Sequence, residues 1–207
     1  MGNTLEKFLL GEAIRGDVVI IEYSSRTPVE ITAWGKVIPL LKANGNLVIV
    51  DFFGIGDAMF RKYLRRLPGK KYSEFVELVR DIGIIKIGPG ATTYGEVLDE
   101  FVPTYDPSIF LKNYHAVMSR ISRLPQKPKY LVSFGLSHYV HFNPEGAIKS
   151  IITATTTLPM EELISVHFVN TDIISRSELA IVEEAATLIL EVSRNGFSVL
   201  KGDEGGD

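Results

Sequence analysis

The chain has 207 residues, 45% hydrophobic and 23% charged, with a net charge of −3 and no cysteine. That length and balance suit one globular domain with a sizeable core, and the acidic total argues against a nucleic-acid surface. Disulfides, thiolate catalysis and cysteine-ligated zinc are excluded, and no apolar run nears the ~20 residues that cross a bilayer.

Residues 4–14 predict a short leading helix, and Gly16-Asp17 turns into an apolar strand over 18–23. A helix follows from about residue 27 to 43, with Val29, Trp34, Val37, Ile38 and Leu41 at helical spacing and Asn44-Gly45 as its stop. A second strand is expected over 47–53, two helices over 57–67 and 72–81 split by Pro68-Gly69, and a third strand over 82–87. GPGATTYGE at 88–96 reads as a loop, and 106–124 as an amphipathic helix carrying Ile109, Phe110, Tyr114, Val117, Met118 and Ile121. Strands at 130–134 and 164–169 enclose a helix at 144–155, and the runs 187–192 and 197–200 flank Asn195-Gly196, a hairpin signal. Residues 1–200 are expected to form the domain and 201–207, KGDEGGD, a flexible acidic tail.

Apolar strands alternating with helices imply a mostly parallel sheet covered on both faces, a three-layer α/β/α sandwich with an antiparallel hairpin at one edge. Such sheets bind ligands beyond the carboxyl ends of their strands. At the end of the first strand stands YSSRTPVE. A phosphate-binding P-loop there would need Gly-Lys-Ser/Thr at the helix start; this chain has Val29 and Glu30, or Pro28 and Val29 one residue earlier. Thr27-Pro28-Val29-Glu30 fits a capping box with proline at the first helical position, which would occupy the helix end with its own side chains. The competing reading is a weak anion or nucleotide site built from Ser24, Ser25, Arg26 and Thr27.

The strand KYLVSFG ends in Ser133, Phe134 and Gly135, where ATPases of this topology offer a magnesium-binding aspartate. Asp51, closing the second strand, is the one acid placed where catalysis could use it, and the GPGATT segment is a second anion-loop candidate. His138 and His141 are three apart and could share a helical face, but a metal site needs a third ligand, so they read as packing at a partly buried helix or an interface. His115 and His167 read as core-edge residues. No GxSxG elbow supports a hydrolase triad. Arg61, Lys62, Arg65, Arg66, Lys70 and Lys71 form a basic cluster that would meet an acidic partner or nucleic acid, against the plainer reading of a solvated face.

The segment LLGEAIRGDVVIIEYSSRTPVEITAWGKVIPLLKANGNLVIVDF resembles the KaiC-type opening of the RecA/KaiC superfamily, and EELISVHFVNTDII with EEAATLILEVSRNGFSVLK is similar to that fold's closing strands. As a whole the chain resembles an uncharacterised family of hyperthermophilic archaea of the Pyrococcus and Thermococcus type. A single glutamine, Gln126, and no cysteine agree with such an origin.

The resemblance implies a RecA-like fold and carries over no catalytic residue, because the positions of the Walker lysine and the metal-binding acid hold other residue types. The expectation is a cytoplasmic, non-catalytic binding or regulatory module without cofactor or metal, acting through self-association or through an active RecA-like relative. Sheet edges and Tyr139 and Phe142 are its expected contacts. The alternative is a nucleotide- or phosphate-binding protein that uses Arg26 and the GPGATT loop without the Walker lysine.

Overall fold

The computed structural model describes residues 4–157, 163–194 and 196–202. Its strands are β1 (Val18–Tyr23), β2 (Leu47–Phe52), β3 (Gly83–Ile87), β4 (Glu96–Phe101), β5 (Tyr130–Phe134), β6 (Ile164–Asn170), β7 (Leu188–Ser193) and β8 (Gly196–Lys201). They form a sheet in the order β4-β3-β2-β5-β6-β1-β7-β8. Every pairing is parallel except that of β7 with β8. β2 and β5 are buried at every residue, and β1 at all but Val18. Cover on both faces removes the polar alternation of a half-wet strand, which is why these segments read as continuous apolar runs.

One face packs against α1 (Thr4–Glu6, prolonged by a π-helical segment Lys7–Glu12), α2 (Val29–Thr32), α3 (Ile38–Asn44), α4 (Ile55–Leu64) and α5 (Gly69–Val79). The other carries α6 (Pro107–Ser122), α7 (Leu136–Phe142), α8 (Pro144–Thr157) and α9 (Arg176–Glu184). Because side chains alternate across a strand, Val19 and Ile21 enter the first core and Ile20 the second. Trp34 fills the first core, edge-on to Phe60 at 5.0 Å and Tyr94 at 4.7 Å and stacked on Phe134 at 5.6 Å.

α2 and α3 are one helical run joined by a π-helical turn, Ala33–Val37. Pro39 accounts for that turn: it has no N–H to donate and its ring presses on the carbonyl one turn earlier, so the helix widens just ahead of it. Gly35 lies in the widened turn, where a Cβ would come within 3.0 Å of the Tyr63 ring.

The mostly parallel sheet with its C-terminal hairpin agrees with the sequence reading. Two elements do not come from it. The segment read as a loop at 88–96 leads into β4, an edge strand paired parallel to β3. EVLDEF has three acids and mostly exposed or half-exposed residues, so it lacks the apolar run of an inner strand; Glu100 instead pairs with Lys86 of β3 at 2.9 Å. α9 is also additional, started by a capping box in which Ser175 and Glu178 bond each other's backbone N–H. Asn195 of the hairpin signal and residues 203–207 of the expected tail lie outside the described residues.

Candidate functional site

β1 lies between β6 and β7, with Tyr23 opposite Asn170 on one side and Val192 on the other. The turn after Tyr23 therefore meets two distant parts of the chain. Thr27 N–H closes it by donating to the Ser24 carbonyl at 2.9 Å. The Ser24 and Thr27 hydroxyls are 3.1 Å apart, and Thr27 Oγ1 also reaches the Val192 carbonyl at 3.5 Å. Ser25 N–H donates to Asp172 Oδ2 at 2.8 Å, while its hydroxyl lies 3.1 Å from Asn170 Nδ2.

Beside the turn is an open depression of about 360 Å³, reached by Ser24, Arg26 and Thr27 and, from β7 and beyond it, by Glu191 and Arg194. Ser25 does not line it. Arg26 and Arg194 are exposed. Glu22 lies on the depression's inner wall, 5% exposed. Burial, a hydrogen bond with Glu183 and the charges of Glu183 and Glu191 raise its pKa to about 7. The depression thus mixes two arginines, Arg26 and Arg194, with two acids, Glu22 and Glu191. Asn170, Asp172, Glu191 and Arg194 have no local motif, and only the strand order brings them here.

The capping box expected of Thr27 and Glu30 does not form. Pro28 stands at the N-cap position of α2 with no side-chain cap. The Glu30 carboxylate, 1% exposed, turns instead to Lys62 of α4 at 3.2 Å and to Arg66 just beyond that helix at 2.7 Å. Two cations draw a buried carboxylate more strongly than a single backbone N–H does. The same contacts take Lys62 and Arg66 out of the basic cluster, and Arg61 pairs with Asp57 at 2.7 Å.

Asp51 is fully buried and caps α4, accepting from Gly56 N–H at 2.8 Å and Asp57 N–H at 3.0 Å, with Tyr94 Oη at 3.4 Å. Burial lifts its pKa to about 6. It is sealed from any ligand, so its role is in the fold. The GPGATT segment is also engaged: Thr93 donates to Asp57 through its N–H and its hydroxyl, each at 2.6 Å. Gly90 lies against Gly54, where a Cβ on Gly90 would stand 2.9 Å from the Gly54 Cα. These glycines serve the approach of two backbones.

Tyr139, expected as an exposed contact, is 1% exposed; it stacks on Tyr105 at 4.8 Å and donates to the Thr104 carbonyl at 2.6 Å. Phe142 is exposed and meets Phe53 edge-on at 5.1 Å. His141 Nδ1 lies 3.0 Å from the Ile173 carbonyl, and His138 Nδ1 is buried without a partner among the described residues. Burial and His141 lower the pKa of His138. His115 is exposed on α6. His167 instead faces inward, with Nδ1 2.6 Å from Ser133 Oγ on the neighbouring strand. The end of β5 thus offers a serine–histidine pair to the second core. No helix among the described residues is long and apolar enough to cross a membrane.

Solved structures share this architecture. The Pyrococcus horikoshii protein PH0250 is similar over 98% of this chain and 94% of its own, with TM-score 0.75 and 23% identity. PH0321 of the same organism, solved in complex with an unknown peptide, covers 97% and 90% with TM-score 0.59 and 13% identity. The KaiC-like protein PH0186 from the same hyperthermophilic archaeon covers 92% and 81% with TM-score 0.53 and 13% identity. Such identities establish a KaiC-like fold and leave activity open. Comparison with curated proteins found no match. Residues 8–201 match the model of DUF257, described as a Pyrococcus protein of unknown function, and the chain belongs to that family.

Proposed function

We propose that this chain is a RecA/KaiC-like module that has lost nucleotide hydrolysis and works by binding. The carrying observation is at the turn after β1, where Ser25 N–H, a donor that a phosphate would use, is held by Asp172. Glu191 adds an acid to the depression beside that turn. Ser133, Phe134 and Gly135 at the end of β5 supply no carboxylate for magnesium. Titration with ATP and magnesium, followed by calorimetry and by thermal melting, tests the reading. No heat and no shift are expected; magnesium-dependent binding with phosphate release, both lost in Arg26→Ala, would overturn it.

The second reading is a phosphate or nucleotide site formed by Ser24, Ser25, Arg26 and Thr27 without a Walker lysine. The exposure of Arg26 and Arg194 on one depression favours it. Phosphate binding that needs both arginines but no magnesium would select this reading over the first.

The module's partner is a second copy of the chain or an active RecA-like relative, in the cytoplasm, with residues 1–200 acting as one domain and 201–207 as a tail. β8 supports this choice: it is an edge strand carrying Val199 at 47% and Leu200 at 55% exposure, and such an edge accepts another strand. Sedimentation of the wild type and of Val199→Lys tests it; a monomer at all concentrations that also fails to retain any RecA-like protein from the same organism would count against it.

A further inference from the structure

Between the sheet and helices α6, α8 and α9 lies a cavity of about 190 Å³. It crosses five adjacent strands, β3, β2, β5, β6 and β1, touching Ile85, Val50, Leu131, His167 and Ile20 in turn. Four interstrand gaps of about 4.8 Å give it a length of about 19 Å. Val102 at one end is 82% exposed, so that end reaches solvent.

The lining includes no aspartate, glutamate, lysine or arginine. The Ser133–His167 pair supplies a polar point part-way along a mostly apolar wall that also includes Thr104, Asn113 and Tyr114. His167 spends Nδ1 on Ser133, and its Nε2 has no hydrogen-bond partner among the described residues. Burial lowers the pKa of this imidazole to about 4, so it is neutral at physiological pH.

Size and chemistry together restrict the occupant. An apolar cavity of about 150 Å³ in another protein stays dry and takes up benzene, so a larger and elongated one has room for a chain. A carboxylate or phosphate would lose its water here with no cation to meet it. A hydroxyl both donates and accepts and so suits either tautomer of His167.

We propose that this cavity binds an uncharged, elongated lipid alcohol, its chain lying across the sheet beneath α6 and α8 and its hydroxyl bonded to His167 Nε2. The site is separate from the turn after β1 and holds whether or not that turn binds an anion.

The test titrates the full chain with the neutral fluorophore N-phenylnaphthylamine and then displaces it. Saturable binding is expected, with dodecanol displacing the probe at about tenfold lower concentration than dodecanoate, a difference of about 1.4 kcal/mol. Ala154→Phe, which places a ring in the cavity, is expected to abolish probe binding. Ser133→Ala combined with His167→Leu is expected to keep probe binding and erase the preference for dodecanol over dodecane. Three results would overturn the proposal: no saturable binding by the wild-type chain, equal displacement by dodecanol and dodecanoate, or unchanged binding in an Ala154→Phe variant that melts like the wild type. The wild-type titrations decide the matter alone if a variant does not fold.

Discussion

The Ser25 N–H is bonded to the Asp172 carboxylate at 2.8 Å, although 147 residues separate the two. The contact exists because β1 and β6 are neighbours, which sets the turn after one beside the loop after the other. An acid in this position both occupies a donor and repels an anion.

Asp172→Asn tests that blocking effect. The change keeps the size of the side chain and removes its charge, so phosphate affinity at the turn is expected to rise several-fold, about 1 kcal/mol for an exposed charge. Calorimetric titration with phosphate at low salt reads it. Equal affinity in both proteins would show that the charge of Asp172 is not what excludes the anion, since an asparagine there can still accept from Ser25 N–H.

Glu30 gives a second test, because two geometries predict different couplings. Its pairs with Arg66 and Lys62 predict a coupling of about 1 kcal/mol in a Glu30→Gln and Arg66→Ala double-mutant cycle, the value being modest because Arg66 is half exposed. A Thr27 and Glu30 cycle should show none, since no capping bond joins them. Urea denaturation of the single and double variants supplies both numbers.

Stability is expected to depend on Glu22 between about pH 4.5 and 7. Its folded pKa is raised from 4.5 to about 7, so across that window the folded chain holds a proton that the unfolded chain has released. Stability from this group is therefore complete below pH 4.5 and is lost as pH rises towards 7. His167 acts in the opposite sense: its pKa falls from 6.5 to about 4, and the fold gains stability as pH rises between those values. Glu22→Gln removes only the first effect, so it should gain on the wild type by about 2 kcal/mol from pH 5 to 8. A constant difference across that range would argue that Glu22 is ionised in the folded chain.

Gly90→Ala is expected to destabilise by about 2 kcal/mol or more, because its Cβ would strike backbone that has no room to retreat. The Gly54 Cα and N are both 2.9 Å from that Cβ position, and Phe53 and Gly54 already hold positive φ values of 58° and 70°. Gly69→Ala is the control, since nothing lies within 4 Å of its Cβ position. A similar small loss in both variants would disprove the close approach of the two turns.

Much of the scaffold was legible locally. The inner strands announce themselves because burial on both faces demands unbroken apolar runs, and helical spacing around Trp34, Ile38 and Leu41 marks the helix after β1. β4 escaped notice because an edge strand tolerates acids. α9 escaped because its signal was the short Ser175–Glu178 cap, with a single buried residue, Val182.

The sequence by itself determined the layered α/β class, the hairpin and the absence of a Gly-Lys-Ser/Thr loop, since each depends on residues close together in the chain. Tertiary structure alone decided which partners polar groups choose. Glu30 and Thr27 are three positions apart and suit a cap, yet packing α4 beside α2 offered Glu30 two cations. Asp172 comes to Ser25, and Ser133 to His167, through strand order alone. Local pattern fixes backbone geometry through short-range sterics and burial, whereas long-range packing sets which charges and hydrogen-bonding groups meet.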